Sequence, residues 1–140
     1  MSAMEASSER VVFYQLTRKF VDRSRAASAD SKQLLHYTLA IGHHIGVVDC
    51  LAGKLDVPIA GYRAWVSALP NGDGRRKLEG VLRYGEIEIT AAHTRPLRQA
   101  FGARTAVMSE AEAGWTASVD SMLQAIDEER AIYLIVRRRR

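Results

Sequence analysis

One cysteine, Cys50, is all the thiol chemistry this 140-residue chain contains. An intramolecular disulfide and a cysteine-based zinc cage are therefore excluded. A single unpaired thiol also suits a reducing compartment better than a secreted one. Long apolar runs are missing as well. The most apolar stretch, Leu39 to Ala52, carries His43, His44 and Asp49. It is too short and too polar to cross a bilayer, which takes about 20 apolar residues. Met1 to Glu9 is small and polar, with no apolar core behind a positive flank, so it does not read as a signal peptide. The common catalytic signatures are absent: no G-x-S-x-G, no H-E-x-x-H, no C-x-x-C and no P-loop. Gly72-Asp73-Gly74-Arg75-Arg76-Lys77 resembles a phosphate-cradling loop only superficially. It lacks the second Gly before the Lys and the Ser or Thr after it, and reads as a turn with exposed basic residues.

What is present is an ordinary globular composition, 47% hydrophobic and 26% charged. The length fits a single domain over residues 1–140. A fold of this size buries roughly two-thirds of the surface its unfolded chain exposes, so it needs no disulfide or metal to hold together. The formal net charge is +4. Four of the cations are the terminal Arg137, Arg138, Arg139 and Arg140; without them Lys plus Arg falls from 20 to 16, equal to the 16 Asp plus Glu. The body is thus neutral and the excess sits at the C-terminus, where it reads as a solvated basic tail. A nucleic-acid binder carries its basic footprint on a folded face with interleaved aromatics, so no nucleic-acid partner is expected.

The hydrophobic pattern predicts a small α+β fold, with a three-stranded antiparallel or mixed sheet packed against three main helices. Arg10 to Thr17, rich in β-branched and aromatic residues, reads as a strand. Asp30 stands three residues before Gln33 as a cap-like signal. From there a long helix is expected to about Leu51, with Leu34, Ile41, Ile45 and Val48 at helical spacing and Gly53 as its C-cap. Asp56 before Pro58 opens a second helix carrying the stripe Tyr62, Trp65, Val66 and Leu69, which Pro70 to Gly74 closes as a turn. Glu86 to Thr90 alternates polar and apolar, as a strand with one wet face does. Pro96 to Phe101 reads as a short helix. Ser109 and Glu112 form a capping box ahead of the stripe Trp115, Val119, Met122, Leu123 and Ile126. Ala131 to Val136 reads as a central strand.

His36, His43 and Cys50 recur every seven residues and would share one face of the first helix. Seven residues rise about 10.5 Å, whereas ligands lie about 2.0–2.3 Å from a shared ion. The stripe alone cannot chelate, and a metal would need further ligands from elsewhere, such as His93 or Glu79. A nickel carrier using His43 and His44 is the alternative this leaves open. The same helix is apolar nearly all round, so it is either buried on both sides or offered to a partner. Cys50 in that apolar setting is an inert thiol rather than a nucleophile. Glu86 and Glu88, with Arg83 nearby, read as the solvent side of a strand.

Several blocks together carry a resemblance. They are Val11 to Phe20; Ala40-Ile41-Gly42-His43-His44-Ile45-Gly46-Val47-Val48-Asp49-Cys50-Leu51; Arg75-Arg76-Lys77-Leu78-Glu79-Gly80; Tyr84-Gly85-Glu86-Ile87; and Ala131 to Arg138. In content and order the chain resembles the formate hydrogenlyase maturation protein (HycH) family over about Val11 to Arg138, with Gly102 to Gly114 the least similar stretch. The resemblance implies a cytoplasmic accessory protein, not an enzyme, with no cofactor and no membrane insertion. It implies assistance to formate hydrogenlyase assembly through the precursor of the NiFe-hydrogenase large subunit, around its C-terminal processing, alongside other assembly factors. The family offers no catalytic motif to transfer. The candidate partner contacts are the His-bearing helix from Gly42 to Leu51, with His43, His44 and Asp49, and the basic turn with the segment after it, with Arg75, Arg76, Glu79 and Tyr84.

Overall fold

The structure, a computed structural model, describes residues 9–16 and 51–140. Its elements in chain order are β1 (Arg10–Leu16), β2 (Leu51–Pro58), α1 (Ile59–Ser67), α2 (Asp73–Tyr84), β3 (Glu86–Ile89), α3 (Thr94–Gly102), α4 (Glu110–Glu128) and β4 (Leu134–Arg139). Short 3-10 turns at Ala91–His93 and Thr105–Val107 flank α3. The strands form one antiparallel sheet in the order β2-β1-β4-β3. The apolar run of β4 is therefore internal, as the sequence suggests, with Leu134, Ile135 and Val136 all buried.

Register explains how the sheet faces divide. Phe13 stands opposite Val136, and Val136 opposite Ile87, so these three share one face. The helices cover that face. Phe13 meets the rings of Tyr62 and Trp65 from α1 at centroid distances of 6.4 and 6.3 Å. Trp65 in turn stacks on Phe101 of α3 at 5.4 Å and meets Trp115 of α4 edge-on at 5.6 Å. Two polar handles inside the cluster are matched: the Tyr62 hydroxyl donates to the Leu78 carbonyl at 2.7 Å, and Trp65 Nε1 donates to Thr116 Oγ1 at 3.1 Å. One aromatic cluster thus ties the sheet to three helices, and a hydrogen bond ties in the fourth.

The α+β class holds, and the structure corrects the expected counts. Among the described residues the sheet has four strands rather than three, and the α-helices number four. Leu51 to Pro58 is strand β2, not the end of a helix, and Gly53 lies within it rather than capping anything. The apolar alternation of β2 is hidden by a bulge. Phe13 pairs with Leu55 but Tyr14 with Gly53, leaving Lys54 as the extra residue and shifting the inward phase by one. Asp56 does not cap α1 either; it pairs with Arg10 across the strands. Pro58 precedes the helix, its φ of −66° already suited to helix entry. Arg75 to Lys77 lie on α2 rather than in a turn. The terminal arginines are no free tail, because Arg137, Arg138 and Arg139 belong to β4. The long helix expected before Leu51, with His36, His43, His44, Asp49 and Cys50, lies outside the described residues.

The capping box is present in both directions. Glu112 N donates to Ser109 Oγ, and Ser109 N to Glu112 Oε1, each at 3.1 Å. Ser109→Ala removes one acceptor for an orphan helix amide and should lower stability by about 1 kcal/mol, read as a lower urea midpoint at unchanged slope.

Candidate functional site

Helix α2 ends where three elements meet. Gly85 follows Tyr84 with φ +89°, the left-handed cap that turns the chain back into β3, and its N–H donates to the Val81 carbonyl at 2.8 Å. The Gly85 carbonyl accepts from the Arg138 N–H of β4 at 2.9 Å. This pins the end of β4 beneath the helix terminus. The Arg138 guanidinium then reaches the Leu82 carbonyl at 2.9 Å, placing a cation against the last carbonyls of α2, where the helix dipole is negative.

The other side of that guanidinium holds Glu9, whose Oε2 accepts from Arg138 at 2.6 and 3.2 Å. Arg140 stands 3.9 Å from the other Glu9 oxygen. The hydrogen bonds from Arg138 hold the Glu9 carboxyl below the usual carboxylate range, and the charges of Arg138, Arg140 and Arg63 act the same way, against a smaller opposing effect of burial. A carboxyl with a depressed folded-state pKa contributes stability above its unfolded pKa and loses it as the pH falls through the folded value. Glu9→Gln should therefore flatten the acid side of the stability profile. Melting temperatures taken from about pH 7 to about pH 3 should fall less steeply for the variant than for the parent chain.

A hollow of about 350 Å³ opens at this junction, lined among others by Glu9, Arg83, Tyr84, Arg138, Arg139 and Arg140. A second of about 530 Å³ lies along α2, lined by Arg76, Glu79, Gly80, Leu82, Arg83 and Tyr84. The two share Leu82, Arg83 and Tyr84 and form one continuous surface. Tyr84 stands 74% exposed, with the Arg83 guanidinium 5.7 Å from its ring centroid.

The structure brings together three of the residues singled out from sequence, Arg76, Glu79 and Tyr84. Arg76 is exposed and pairs with Asp73 one turn earlier. Arg75 is directed differently. It donates to the Leu69 carbonyl at 3.1 Å and to Asn71 Oδ1 at 3.2 Å, closing the turn between α1 and α2, and lies 3.6 Å from Glu79. Its charge serves its own fold. His43, His44 and Asp49 lie outside the described residues, and so does the nickel alternative that rests on the two histidines. Among the described residues no three of His, Cys, Asp and Glu gather closely enough to hold a metal ion. The Nδ1 of His93 accepts from the Thr90 N–H at 3.0 Å, and burial followed by the charge of Lys77 lowers its pKa. Glu86 is not merely a solvated strand residue, since it takes an ion pair from Arg137 at 2.5 Å.

Glu9, Arg138, Arg139 and Arg140 were not among the residues singled out for this surface. Their signal was the basic terminus itself, which a strand reading carried three residues further would have laid on the sheet. No helix among the described residues is long and apolar enough to cross a membrane.

Comparison with known proteins covers nearly the whole chain. The sequence profile for formate hydrogenlyase maturation protein HycH matches residues 10–138. Formate hydrogenlyase maturation protein HycH of Escherichia coli strain K12 is 47% identical over 134 residues, covering 95% of this chain and 98% of the relative, and the protein of the same name from Escherichia coli O157:H7 matches to the same extent. Hydrogenase-4 component J of Escherichia coli strain K12 is 38% identical over 131 residues, covering 91% of this chain and 93% of the relative. No solved structure matches the chain.

Proposed function

The chain belongs to the formate hydrogenlyase maturation protein HycH family, and from that premise we propose that it is a maturation factor acting in the cytoplasm by binding. Its client is the precursor of the NiFe-hydrogenase large subunit, held around the time of C-terminal processing, with other formate hydrogenlyase assembly factors as further partners. The role is that of a chaperone, not an enzyme. The observation that carries this reading is the end-to-end match to a relative named for maturation, 98% of whose length is covered.

The exposed surface at the end of α2 is of the kind such a role requires. An uncovered tyrosine in a cationic rim has the composition of a protein–protein contact, where Tyr and Arg are over-represented. The test is co-purification. The full-length tagged chain, isolated from cells growing by formate-evolving fermentation, should carry the large-subunit precursor with its C-terminal extension still attached, identified by intact mass. Recovery of no hydrogenase component above the untagged control would overturn the reading.

A further inference from the structure

We propose that the hollow at the end of α2, rimmed by Arg83 and Arg140 and centred on Tyr84, is the docking site for an acidic segment of the client polypeptide. The inference rests on the reading that the chain works by holding a client, and adds where the client sits and what chemistry recognises it.

The first argument is charge. Among the described residues the one side-chain carboxylate lining the hollow is Glu9, and it is already taken by Arg138 at 2.6 Å. Arg138 itself is spent on Glu9 and on the Leu82 carbonyl. Of the other cations, Arg139 is turned to the opposite face of the sheet, where it donates to the Tyr14 hydroxyl, and two are left over. Arg140, its side chain 89% exposed, can only share a carboxylate that Arg138 has neutralised. Among the described residues Arg83 has no carboxylate partner, and its guanidinium lies over the Tyr84 ring. Two guanidiniums, those of Arg83 and Arg140, thus stand at one hollow with no carboxylate of their own among the described residues. They are planar donors suited to carboxylates.

The second argument is shape and anchor. Tyr84 offers a large apolar body with a polar tip, and its ring is uncovered although the neighbouring Val81 is fully buried. In the adjoining hollow along α2 the other charges are paired, Arg76 with Asp73 and Glu79 with Arg75. A segment lying across Tyr84 would place acidic side chains toward Arg83 and Arg140 and uncharged ones toward Leu82 and Gly80. A nucleic acid fits less well. Its backbone needs a track of cations with several stacking faces, whereas the sequence outside the terminal arginines is neutral and the hollow presents one ring.

The test uses the full chain and fluorescence anisotropy. The probes are a labelled dodecapeptide alternating Glu and Ala, its Gln counterpart, a uridylate dodecamer, and vesicles of phosphatidylcholine with about 30% phosphatidylserine. The Glu peptide should bind at least about tenfold more tightly than the Gln peptide. Raising sodium chloride from about 50 to about 300 mM, or introducing R83E/R140E, should each weaken it about tenfold or more. Neither arginine donates a hydrogen bond to a described residue, so the variant should keep its circular dichroism and melting temperature. Should it not fold, R83Q/R140Q gives the same readout with a smaller loss. Equal binding of the Glu and Gln peptides, no effect of the arginine variants, or tighter binding of the RNA or the vesicles overturns the proposal. If the peptide does not bind while the tagged chain still recovers the large-subunit precursor, the docking site falls and the maturation reading stands. If it binds but no hydrogenase component co-purifies, the reading falls and the acidic-segment site stands.

Discussion

Trp65→Ala should remove about 3–5 kcal/mol of stability, the range for deleting a buried Trp or Phe. That is a large share of the roughly 5–15 kcal/mol that holds a domain of this kind together. Trp65 is 1% exposed and is the hub of the aromatic cluster. It stacks on Phe101, meets Trp115 and Tyr62 edge-on at 5.6 and 6.0 Å, and touches the sheet through Phe13. Truncation opens a cavity where α1, α3, α4 and β1 converge, and collapse of any one wall would pull the others out of register. It also removes the donor that Thr116 Oγ1 accepts from inside the core. Trp65→Phe keeps a ring and loses mainly that hydrogen bond and part of the volume, so it should fall well short of the alanine loss. Urea unfolding followed by circular dichroism reads both. An alanine loss below about 1 kcal/mol would mean that the cluster is not the centre of the core.

Gly74→Ala should be the next most damaging of the small changes, costing about 1–3 kcal/mol, the usual range for overpacking a tight contact. A Cβ built at Gly74 would sit 2.5 Å from the Pro96 carbonyl oxygen and 3.0 Å from Ala100 Cβ. The nearer atom is backbone, which cannot swing aside, so α2 and α3 must move apart. The control is Gly114→Ala in the exposed first part of α4, where nothing lies within 4 Å. There the same substitution should raise stability by about 0.5–1 kcal/mol, because it reduces the backbone entropy lost on folding. Opposite signs at the two glycines, measured in the same denaturant series, are the expected result. A neutral Gly74→Ala would place the helix pair further apart than described.

Gly74 also shows why α2 was not legible in the sequence. Gly72, Asp73 and Gly74 carry the marks of a turn, and Arg75, Arg76 and Lys77 after them look like solvated loop residues. The helix nonetheless has a buried stripe of Gly74, Leu78 and Val81 at i, i+4 and i+7. Its first member is a glycine, chosen for close approach rather than for flexibility, so the apolar periodicity starts one turn late to the eye. Strand β2 was hidden by its bulge, which breaks the two-residue alternation that marks a strand. Where the pattern ran unbroken the elements were readable. The capping box at Ser109, the five-residue stripe of α4 and the Glu86 to Ile89 alternation followed from spacing, and the internal position of β4 from its unbroken apolar run, although the strand spans Leu134–Arg139 rather than Ala131 to Val136. The α2 surface was only half readable. Arg76, Glu79 and Tyr84 are near one another in sequence and share a helix, whereas Glu9 and the terminal arginines arrive there from the first and last strands. No local pattern links Glu9 to Arg138. The link is made by the pairing of β1 with β4, in which Val11 stands opposite Arg138.

The charge distribution takes a different meaning once the strands are in place. Three of the four terminal arginines, Arg137 to Arg139, are fixed to the body by backbone hydrogen bonds of β4, so their direction is set by the sheet. Arg137 is turned toward Glu86, while Arg138 is tucked under α2. Cations oriented by a strand and a helix can select a partner's orientation as well as attract it, whereas a solvated tail could only attract.

In-cell photo-cross-linking tests most directly the proposed contact between the end of α2 and a hydrogenase component. A photoreactive amino acid placed at Tyr84 should yield an adduct with the large-subunit precursor, identified by mass spectrometry. The same amino acid at Val107, an apolar residue 65% exposed on another segment, should yield little. Adducts at Val107 alone, or adducts at Tyr84 that contain no hydrogenase component, would contradict it.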